Sequence, residues 1–456
     1  MSERKQNKKI DNKAPVIVGV GDFTDRSKED GLNPQELLAK ASQLAIKDSG
    51  IKDLNKQIDY VGVVRFSVDF LTATNQSSFQ YSNFPRTLSN KLGIQATNEV
   101  YAPMGGNSPQ VLLEDALIKI SSGETDCALL AGGEALQTMI ARLKAGMSLD
   151  WLDEPGGNPE MIGNNAIGFS EHEKIHGMDL PTNVYPLFAQ SLRKKDNKTA
   201  EQHLRECSSL FSEFSKVASN NPYSWFPTFR SEEEIAAVTK NNRLVGYPYT
   251  KYLNSVIRVN MSSAYILMSQ TKADELGVSQ NKRVYVHGCS ILDDIWNVSE
   301  RPNFHSSPAI KTCVNQTLEQ AEVSFDDISH FDLYSCFPSA VQVAMKEIGI
   351  NDDFDKPLTV TGGLPYFGGP GNSYTIMSTS EMVRKLRSDS GKGLLTANSW
   401  FLTKHAAMSL SSSKPEERLS LEKSKSIQNE INSTRVKNLI EHANGDGKID
   451  TYTIIN

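Results

Sequence analysis

The segments FDLYSCFPSAVQ, at residues 331–342, and TVTGGLPYFGGPG, at residues 359–371, decide how the chain is interpreted. The first reads as an apolar strand that ends at Cys336 and leads into a helix that begins at Pro338, because proline favours the first turn of a helix. A thiol at this place lies near the positive end of the helix dipole, which stabilises the thiolate. We therefore expect Cys336 to be the most reactive of the five cysteines, with a pKa below that of a free thiol. A buried, unreactive cysteine is the alternative.

The glycine-rich segment at residues 362–372 contains five glycines and two prolines. Glycine lets the backbone approach a ligand closely, and the N–H groups of such a turn can stabilise an oxyanion. A tight structural turn is an equally good interpretation of the same residues.

His405 follows the predicted strand at residues 393–398. A histidine near a strand end acts either as a base or as a hydrogen-bonded structural group. None of the eight histidines belongs to an HExxH or comparable pattern, so we expect no metal site.

Strands and helices alternate along the chain, and one unit of this alternation occurs twice. A buried strand at 14–23 precedes a helix at 34–48 and, after an acidic turn, a strand at 58–68. Later, a helix at 309–321 leads through another acidic turn to a strand at 330–337. This order predicts an α/β fold in which helices cover the sheets, with a weak internal duplication. Chance similarity of two ordinary units is the alternative.

The composition narrows the class of protein. The 456 residues are 38% apolar and carry a formal net charge of −6, so we expect a globular chain without a nucleic-acid partner. The N-terminal MSERKQNKK lacks the apolar core of a secretory signal, and no run approaches the about 18 apolar residues of a membrane span. Five scattered cysteines, none in a CxxC pair, fit a reducing, cytoplasmic location.

Several ordered blocks between about residues 14 and 411 resemble one family, the thiolase superfamily. Within it they are most similar to the acetyl-CoA acetyltransferase or thiolase-like proteins near the sterol carrier protein-type thiolases. The blocks are PVIVGVGDFTDR, GGNSPQ, SGETDCALLAGGEA, PTNVYPLFAQSLR, NRLVGYPYTKYLN, FDLYSCFPSAVQ, TGGLPYFGGPGN and LLTANSWFLTKHA.

The resemblance implies a duplicated αβαβα five-layer core, a loop domain that helps to bind coenzyme A, and a homodimer. The chain then divides into a tail, two halves of which the first carries the inserted loop domain, a linker, and the start of an extra β domain that looks truncated. The boundaries are 1–14 for the tail, 15–140 and 251–290 for the N-terminal half, 141–250 for the irregular loop domain, 291–411 for the C-terminal half, 412–436 for the linker and 437–456 for the extra domain.

The resemblance also identifies the positions of the catalytic groups of thiolytic members. Their nucleophilic cysteine, at the start of a central helix, falls on or beside Gly106, where this chain has no thiol. Their H-D-C-F motif reads YSCF at 334–337, so tyrosine replaces histidine and the cysteine is retained. Their G-H-P motif reads GGP at 368–370, and their C-terminal cysteine falls on Ala397 or Asn398. These replacements argue against ordinary thiolysis through an acyl-cysteine.

We interpret the chain as a coenzyme A thioester-handling, acetyl-CoA acetyltransferase-like acyltransferase, which transfers an acyl group or makes or breaks a C–C bond beside the thioester. Two alternatives stay open: a retro-aldolase acting on a β-hydroxyacyl thioester, and a non-catalytic acyl-CoA-binding subunit. No bound cofactor is expected, because the thioester is itself the substrate. The candidate catalytic residues are Cys336, Tyr334, His405 and Asn398; the candidate substrate or oxyanion groups are Gly105, Gly106, Asn107, Gly368, Gly369 and Gly371; the candidate coenzyme A-binding residues are Arg193, Arg243 and Lys251.

Overall fold

The computed structural model describes residues 13–27, 30–67, 69, 80–351, 353–416, 419–421, 425–440, 442 and 444–455. The strands in these residues are β1 (Pro15–Thr24), β2 (Tyr60–Val63), β3 (Asn98–Tyr101), β4 (Cys127–Ala135), β5 (Glu160–Met161), β6 (Leu244–Gly246), β7 (Tyr249–Thr250), β8 (Asn260–Ser269), β9 (Val284–Asp293), β10 (His330–Asp332), β11 (Lys392–Ser399) and β12 (Lys404–Ser411). The helices are α1 (Pro34–Ser49), α2 (Phe84–Leu92), α3 (Ser108–Ser122), α4 (Leu136–Lys144), α5 (Glu171–Ile175), α6 (Pro181–Lys195), α7 (Ala200–Asn220), α8 (Glu232–Ala236), α9 (Gln270–Glu275), α10 (Pro308–Gln320), α11 (Pro338–Ile348), α12 (Tyr374–Ser388) and α13 (Lys425–Ser433). None of these described helices is long and apolar enough to cross a membrane.

Ten of the strands form one continuous sheet in the order β10-β11-β12-β9-β1-β8-β4-β2-β3-β5. In its first half β1 is antiparallel to β8, β8 is antiparallel to β4, and β4 is parallel to β2. In its second half β9, β12, β11 and β10 repeat these relations in the same order. The halves join where β1 pairs with β9, with Val16 opposite Tyr285 and Ile17 opposite Val284. The predicted duplicated α/β fold is confirmed.

Helices form three layers around the two half-sheets. In the outer layers α1 packs on β1 and β8, and α10 packs in the same way on β9 and β12. The central layer consists of α3 and α12, which contact each other and strands of both halves. Each outer helix is followed by one 3-10 turn, Leu54–Lys56 or Phe325–Asp327, and then by the parallel strand β2 or β10. This is the repeated unit that the sequence predicts.

Local sequence explains why α1 begins and ends where it does. The Asn33 side chain accepts from the Glu36 N–H, and the Glu36 carboxylate accepts from the Asn33 N–H, which satisfies two N–H groups at the helix start. Gly50 ends the helix at a φ of 74°, a left-handed conformation that favours glycine. The face that includes Leu38 and Ala41 is fully buried against the sheet.

The inserted region 141–250 combines irregular stretches with the two long helices α6 and α7. Pro186 lies inside α6, and a proline within a helical pattern argues against a helix at the level of sequence. Phe211 and Phe214 of α7 belong to the hydrophobic core that also contains residues of the C-terminal half. Burial of these aromatic side chains holds the insertion against the second half.

Residues 449–455, which are part of the segment 437–456 predicted to begin an extra β domain, lie against the inserted region. The Thr451 hydroxyl donates to the Leu187 carbonyl at 2.6 Å, and the Tyr247 N–H donates to the Ile454 carbonyl at 2.9 Å. The segment thus pairs with backbone next to β6. That it begins an independent domain stays a prediction. Of the predicted N-terminal tail, residues 1–12 lie outside the described residues.

We expect Gly19→Ala and Gly288→Ala each to lower the free energy of unfolding by about 1–3 kcal/mol. A Cβ added to Gly19 of β1 would collide with the Ala45 carbonyl of α1, and one added to Gly288 of β9 would collide with the Thr317 carbonyl of α10. Both obstacles are helix backbone, so relief requires the outer helix to shift. Urea denaturation measures the effect, and Gly447→Ala is the control because its added Cβ meets nothing within 4 Å. Equal stability of all three variants would contradict this packing.

Candidate active site

Three predicted catalytic side chains meet at the carboxyl ends of the parallel strands β10 and β11. Tyr334 and Cys336 follow β10, and Asn398 lies near the end of β11. The Tyr334 N–H donates to Thr396 Oγ1 at 3.0 Å, which holds the chain after β10 beside β11. Residues at the carboxyl ends of neighbouring parallel strands share one edge of a sheet, which is why distant segments of sequence converge here.

Asn398 links Cys336 to a tyrosine of the inserted region. Its Oδ1 accepts a hydrogen bond from Tyr185 Oη at 3.0 Å and lies 4.0 Å from Cys336 Sγ. Tyr185 Oη is also 2.9 Å from the Trp400 carbonyl oxygen. The Tyr185 ring stacks on Phe337 with ring centroids 4.4 Å apart. The inserted region therefore contributes a buried hydroxyl group to the site.

The Tyr334 hydroxyl occupies the space that a side chain at position 106 would need. A Cβ added to Gly106 would come closer than 3.0 Å to Tyr334 Oη and to the Asn398 carbonyl oxygen. Tyr334 Oη has no hydrogen-bond partner among the described residues. Burial, and to a smaller extent Cys336, raises the pKa of Tyr334, so its phenol stays protonated near neutral pH. It is thus a hydrogen-bond donor with no acceptor inside this part of the protein.

The glycines before α3 differ in what their N–H groups bind. The Gly105 N–H donates to Asn372 Oδ1 at 2.9 Å, and the φ of Gly105 is 136°. The Gly106 N–H has no acceptor within the described chain. Asn107 is buried and precedes the first residue of α3, but its side chain makes no capping hydrogen bond. The Gly106 amide is therefore available to a ligand, and it lies beside Tyr334.

In the glycine turn 368–371, most of the backbone N–H groups donate hydrogen bonds within the protein. The Gly369 N–H donates to the Val256 carbonyl at 2.8 Å, and the Gly371 N–H donates to the Gly369 carbonyl at 2.8 Å. The Gly368 N–H has no acceptor among the residues that the structure describes. Two N–H groups of the turn therefore already donate within the protein. In the described ranges, the Gly368 N–H is the one amide of the turn that could donate to a ligand.

The expectation that Cys336 has a lowered pKa is wrong. Cys336 does precede α11, but burial raises its pKa to about 12. The loss of solvent around a thiolate outweighs the hydrogen bonds from Tyr185, the backbone and Asn398, which act in the opposite direction. The thiol is neutral near pH 7 and is not an activated nucleophile. Burial likewise raises the pKa of Cys127, Cys207 and Cys313.

His405 of β12 lies directly opposite Asn398 of β11 and is 1% exposed. Its Nε2 is 3.1 Å from Asp294 Oδ2 and 3.3 Å from Ser307 Oγ. Burial alone would raise the pKa of Asp294, but the hydrogen bond from His405 and the charge of Arg301 hold it below its ordinary value. A buried carboxylate therefore orients the histidine ring.

The predicted coenzyme A-binding residues lie in two places. Arg193 is on α6, where its Nε donates to Gln190 Oε1 at 2.8 Å, and it lines a surface cavity of about 500 Å³ with residues 449–452. Arg243 and Lys251 are neighbours, because the Lys251 N–H donates to the Arg243 carbonyl at 2.8 Å. Both of these side chains are exposed.

A cavity of about 860 Å³ is separate from these groups. It lies between α7, α11 and residues 350–359, and Phe214 is part of its wall. Its lysines are paired, as Lys346 is with Asp196. Neither a nucleophile nor an unpartnered hydroxyl of the cluster above lines it, so the chemistry is better placed at the strand ends.

Tyr185, Asp294 and Ser307 belong to the site but were not among the sequence candidates. Tyr185 reaches Asn398 only because α6 folds across the C-terminal half, and no spacing in the sequence indicates that contact. Asp294 directly follows β9. An acidic residue at a strand end was a usable signal, and it was missed because no partner histidine was assigned to it.

The chain is similar over nearly its whole length to a solved structure. Over 98% of its length the chain matches a monomeric SCP2-thiolase-like protein type 1 from Mycobacterium smegmatis, with a TM-score of 0.82 and 32% identity, and it covers 87% of that protein. An acetyl-CoA acetyltransferase from Syntrophomonas wolfei matches 89% of the chain and all of its own, at a TM-score of 0.61 and 15% identity. An Ltp2–ChsH2(DUF35) aldolase matches 90% of the chain and 99% of its own, at 0.65 and 16%. The last two similarities show the fold alone.

Similarity to curated proteins is shorter. A 3-ketoacyl-CoA thiolase from Klebsiella pneumoniae is 29% identical over 141 residues, which are 30% of this chain and 33% of the relative. Another from Aliivibrio fischeri is 31% identical over 114 residues, 24% of this chain and 26% of the relative. The chain thus spans at most about a third of these curated relatives. Comparison with descriptions of known protein families gives no match.

We expect Cys336 to react with iodoacetamide at pH 8 on the order of 10³-fold more slowly than a free cysteine. A pKa of about 12 leaves very little thiolate at that pH, and the thiolate is the reactive form. The rate should rise about tenfold for each pH unit while the fold persists. Mass spectrometry of the peptide that contains Cys336 gives the rate, and Cys336→Ser identifies the peptide. Labelling at the rate of a free thiol would contradict the burial argument.

Proposed function

The chain belongs to the thiolase superfamily, and on that premise we propose that it binds coenzyme A thioesters and makes or breaks a C–C bond beside the thioester without an acyl-enzyme. One observation carries the proposal. The Tyr334 hydroxyl, which has no partner in the described chain, takes the place of a side chain at position 106, and the Gly106 N–H beside it also lacks an acceptor. These are two hydrogen-bond donors where thiolytic relatives would need a nucleophile.

The geometry suits the stabilisation of an enolate. When a C–C bond next to a thioester breaks, its electrons move to the thioester oxygen, and the negative charge there needs hydrogen-bond donors. Tyr334 and Gly106 supply an O–H and an N–H from two different segments. Burial raises the pKa of Tyr334, which keeps the phenol in its donor form.

Acyl transfer through an acylated cysteine is less favoured than a reaction without an acyl-enzyme. Position 106 has neither a thiol nor room for one, and Cys336 has a pKa of about 12. The retro-aldolase alternative needs no acyl-enzyme, and an aldolase occurs among proteins of the same fold. We therefore favour cleavage of a β-hydroxyacyl thioester into an aldehyde or ketone and a shorter thioester.

The role of acyl-CoA, the cellular location and the oligomeric state stay predictions. The acyl-CoA is proposed as substrate rather than cofactor, and a cytoplasmic location is retained from the sequence. For a homodimer, the relevant observation is that β5 pairs with β3 at the end of the sheet. A second copy would therefore have to use a surface other than the free side of β3.

We expect Tyr334→Phe to lower kcat for cleavage of 3-hydroxyacyl-CoA thioesters by about 10²–10³-fold, because one donor to the developing oxyanion is lost. Substrate affinity should stay within about threefold, since the ring is kept. Release of aldehyde in the absence of free coenzyme A, followed by mass spectrometry, measures retro-aldol turnover. A 3-ketoacyl-CoA with free coenzyme A tests thiolysis in parallel.

Tyr81→Phe is the matched control for this variant. The Tyr81 hydroxyl is buried without a hydrogen-bond partner, in an aromatic cluster with Phe66 and Phe84 in the other half. Full turnover by Tyr334→Phe would rule out the proposed role. Binding of acyl-CoA with no turnover by the unaltered protein would favour the non-catalytic subunit instead.

We expect the pair Arg243→Gln and Lys251→Gln to weaken acetyl-CoA binding by about tenfold, because two exposed neighbouring cations can contact its phosphates. Isothermal titration calorimetry at low salt measures the affinity. Arg193→Gln tests the second place separately, and exposed Lys52→Gln, in the turn after α1, controls for net charge. Unchanged affinity of the double variant would assign the phosphates elsewhere, and no binding at millimolar ligand would refute the coenzyme A site.

A further inference from the structure

Asn398 and His405 project from the same face of the sheet. They are directly opposed in the antiparallel pair β11–β12, and residues opposed in this way place their Cβ atoms about 4.5–5.5 Å apart. Both also line one small cavity, of about 10 Å³, whose other walls are mostly apolar. The further lining residues are Ile310, Val314, Tyr334, Ala340, Ala344, Thr396, Ala397 and Ala406.

The two ring nitrogens of His405 differ in their partners. Nε2 faces Asp294 Oδ2 at 3.1 Å and Ser307 Oγ at 3.3 Å. Asp294 itself accepts from the Ser307 hydroxyl and, at 3.3 Å, from the Ala309 N–H at the start of α10. Nδ1 is buried and has no hydrogen-bond partner. A buried polar atom without a partner costs about 1–3 kcal/mol, so an unpaired nitrogen in an otherwise satisfied cluster calls for an explanation.

The Asn398 carboxamide shows the complementary asymmetry. Its Oδ1 accepts from Tyr185 and lies near the Cys336 thiol, so the oxygen end of the group is engaged. Its Nδ2 donates to no acceptor in the described part of the chain. The cavity between them is thus bordered by an unpaired ring nitrogen on His405 and by an amide donor without an acceptor on Asn398.

We propose that one buried water bridges His405 Nδ1 to Asn398 Nδ2, and that Asp294, Ser307 and His405 thereby act as positioning residues for the Asn398 carboxamide. The water donates to Nδ1 and accepts from Nδ2. Thr396 lines the same cavity. A cavity of about this volume holds a single water when it offers two or more polar partners. The role in turnover rests on the proposed function; the bridge itself does not.

The bridge has a definite consequence for protonation. Because the proposed water donates to Nδ1, that nitrogen carries a lone pair in this arrangement, and the ring proton resides on Nε2 and is donated to Asp294. With Nδ2 held by the water, Asn398 Oδ1 stays turned toward Tyr185 and Cys336. This end of the carboxamide belongs to the same cluster as the Tyr334 hydroxyl, which lies against Gly106. The outer helix α10, through its first turn, therefore orients a group at the site without touching substrate.

Two substitutions separate this role from a purely structural one. His405→Asn keeps a polar atom near the position of Nδ1 and loses the contact of Nε2 with Asp294. His405→Gln keeps a polar atom near the position of Nε2 and loses the Nδ1 atom that binds the water. We expect the Gln variant to lose about 10–100-fold in kcat with KM within about threefold. The Asn variant keeps the group that meets the water but loses its anchor on Asp294, so we expect it to lose less, about 3–10-fold. Thermal unfolding of both variants checks that they fold.

The opposite ranking, with Gln active and Asn inactive, would overturn the proposal, because it would mean that only the contact with Asp294 matters. A second measurement is independent of activity. Nitrogen NMR of the full chain with labelled histidine should show His405 with a proton on Nε2 and an unprotonated, hydrogen-bonded Nδ1. A proton on Nδ1 would refute a water that donates to Nδ1, and with it this proposal, even if turnover is found. The expected tautomer without any turnover would refute the proposed function alone.

Discussion

The site depends on the absence of a side chain at position 106. Because Gly106 has no Cβ, the start of α3 approaches the ends of β10 and β11 closely enough for the Tyr334 hydroxyl and the Asn398 carbonyl to fill the space. Any larger residue would displace the tyrosine or separate the central helix from the second half-sheet. The same approach leaves the Gly106 N–H without an acceptor in the described chain. The same close approach that leaves no room for a nucleophilic side chain at position 106 therefore leaves the Gly106 N–H as a hydrogen-bond donor.

The groups around this contact are neutral near pH 7 for a common reason. Burial raises the pKa of Tyr334, Tyr185 and Cys336, so that phenols and thiol keep their protons. The buried carboxylate of Asp294 is set back behind the His405 ring, which separates its charge from the Tyr334 hydroxyl. A site of this kind polarises a carbonyl by hydrogen bonds and gains little from attack by a thiolate.

Sequence reasoning identifies the fold and three members of the cluster, and its failures have physical causes. Ordered blocks and strand–helix alternation depend on local chemistry, so Cys336, Tyr334 and Asn398 are placed at strand ends without knowledge of tertiary contacts. The pKa of Cys336 depends on desolvation by burial in the folded chain, which a helix-dipole argument does not contain. Tyr185 is invisible for the same reason, since it belongs to α6, and the register that opposes Asn398 to His405 appears only when β11 pairs with β12.

The duplication explains why only one half carries this chemistry. Counting from the first paired residues of the parallel strands, Ser67 and Glu134 in the first half correspond to Phe337 and Ser399 in the second. Gly371, before α12, packs against Glu134 and Ser67 as the glycine before α3 packs against the second half, so each central helix begins against the opposite half-sheet. In the first half the Glu134 carboxyl, whose pKa burial raises to about 8, accepts from the Ser67 N–H at 2.6 Å and satisfies the contact internally. In the second half Ser399 stands at the position of that carboxyl, and the Tyr334 hydroxyl is left without a partner in the described chain. Under the proposed function, that donor binds the thioester oxygen.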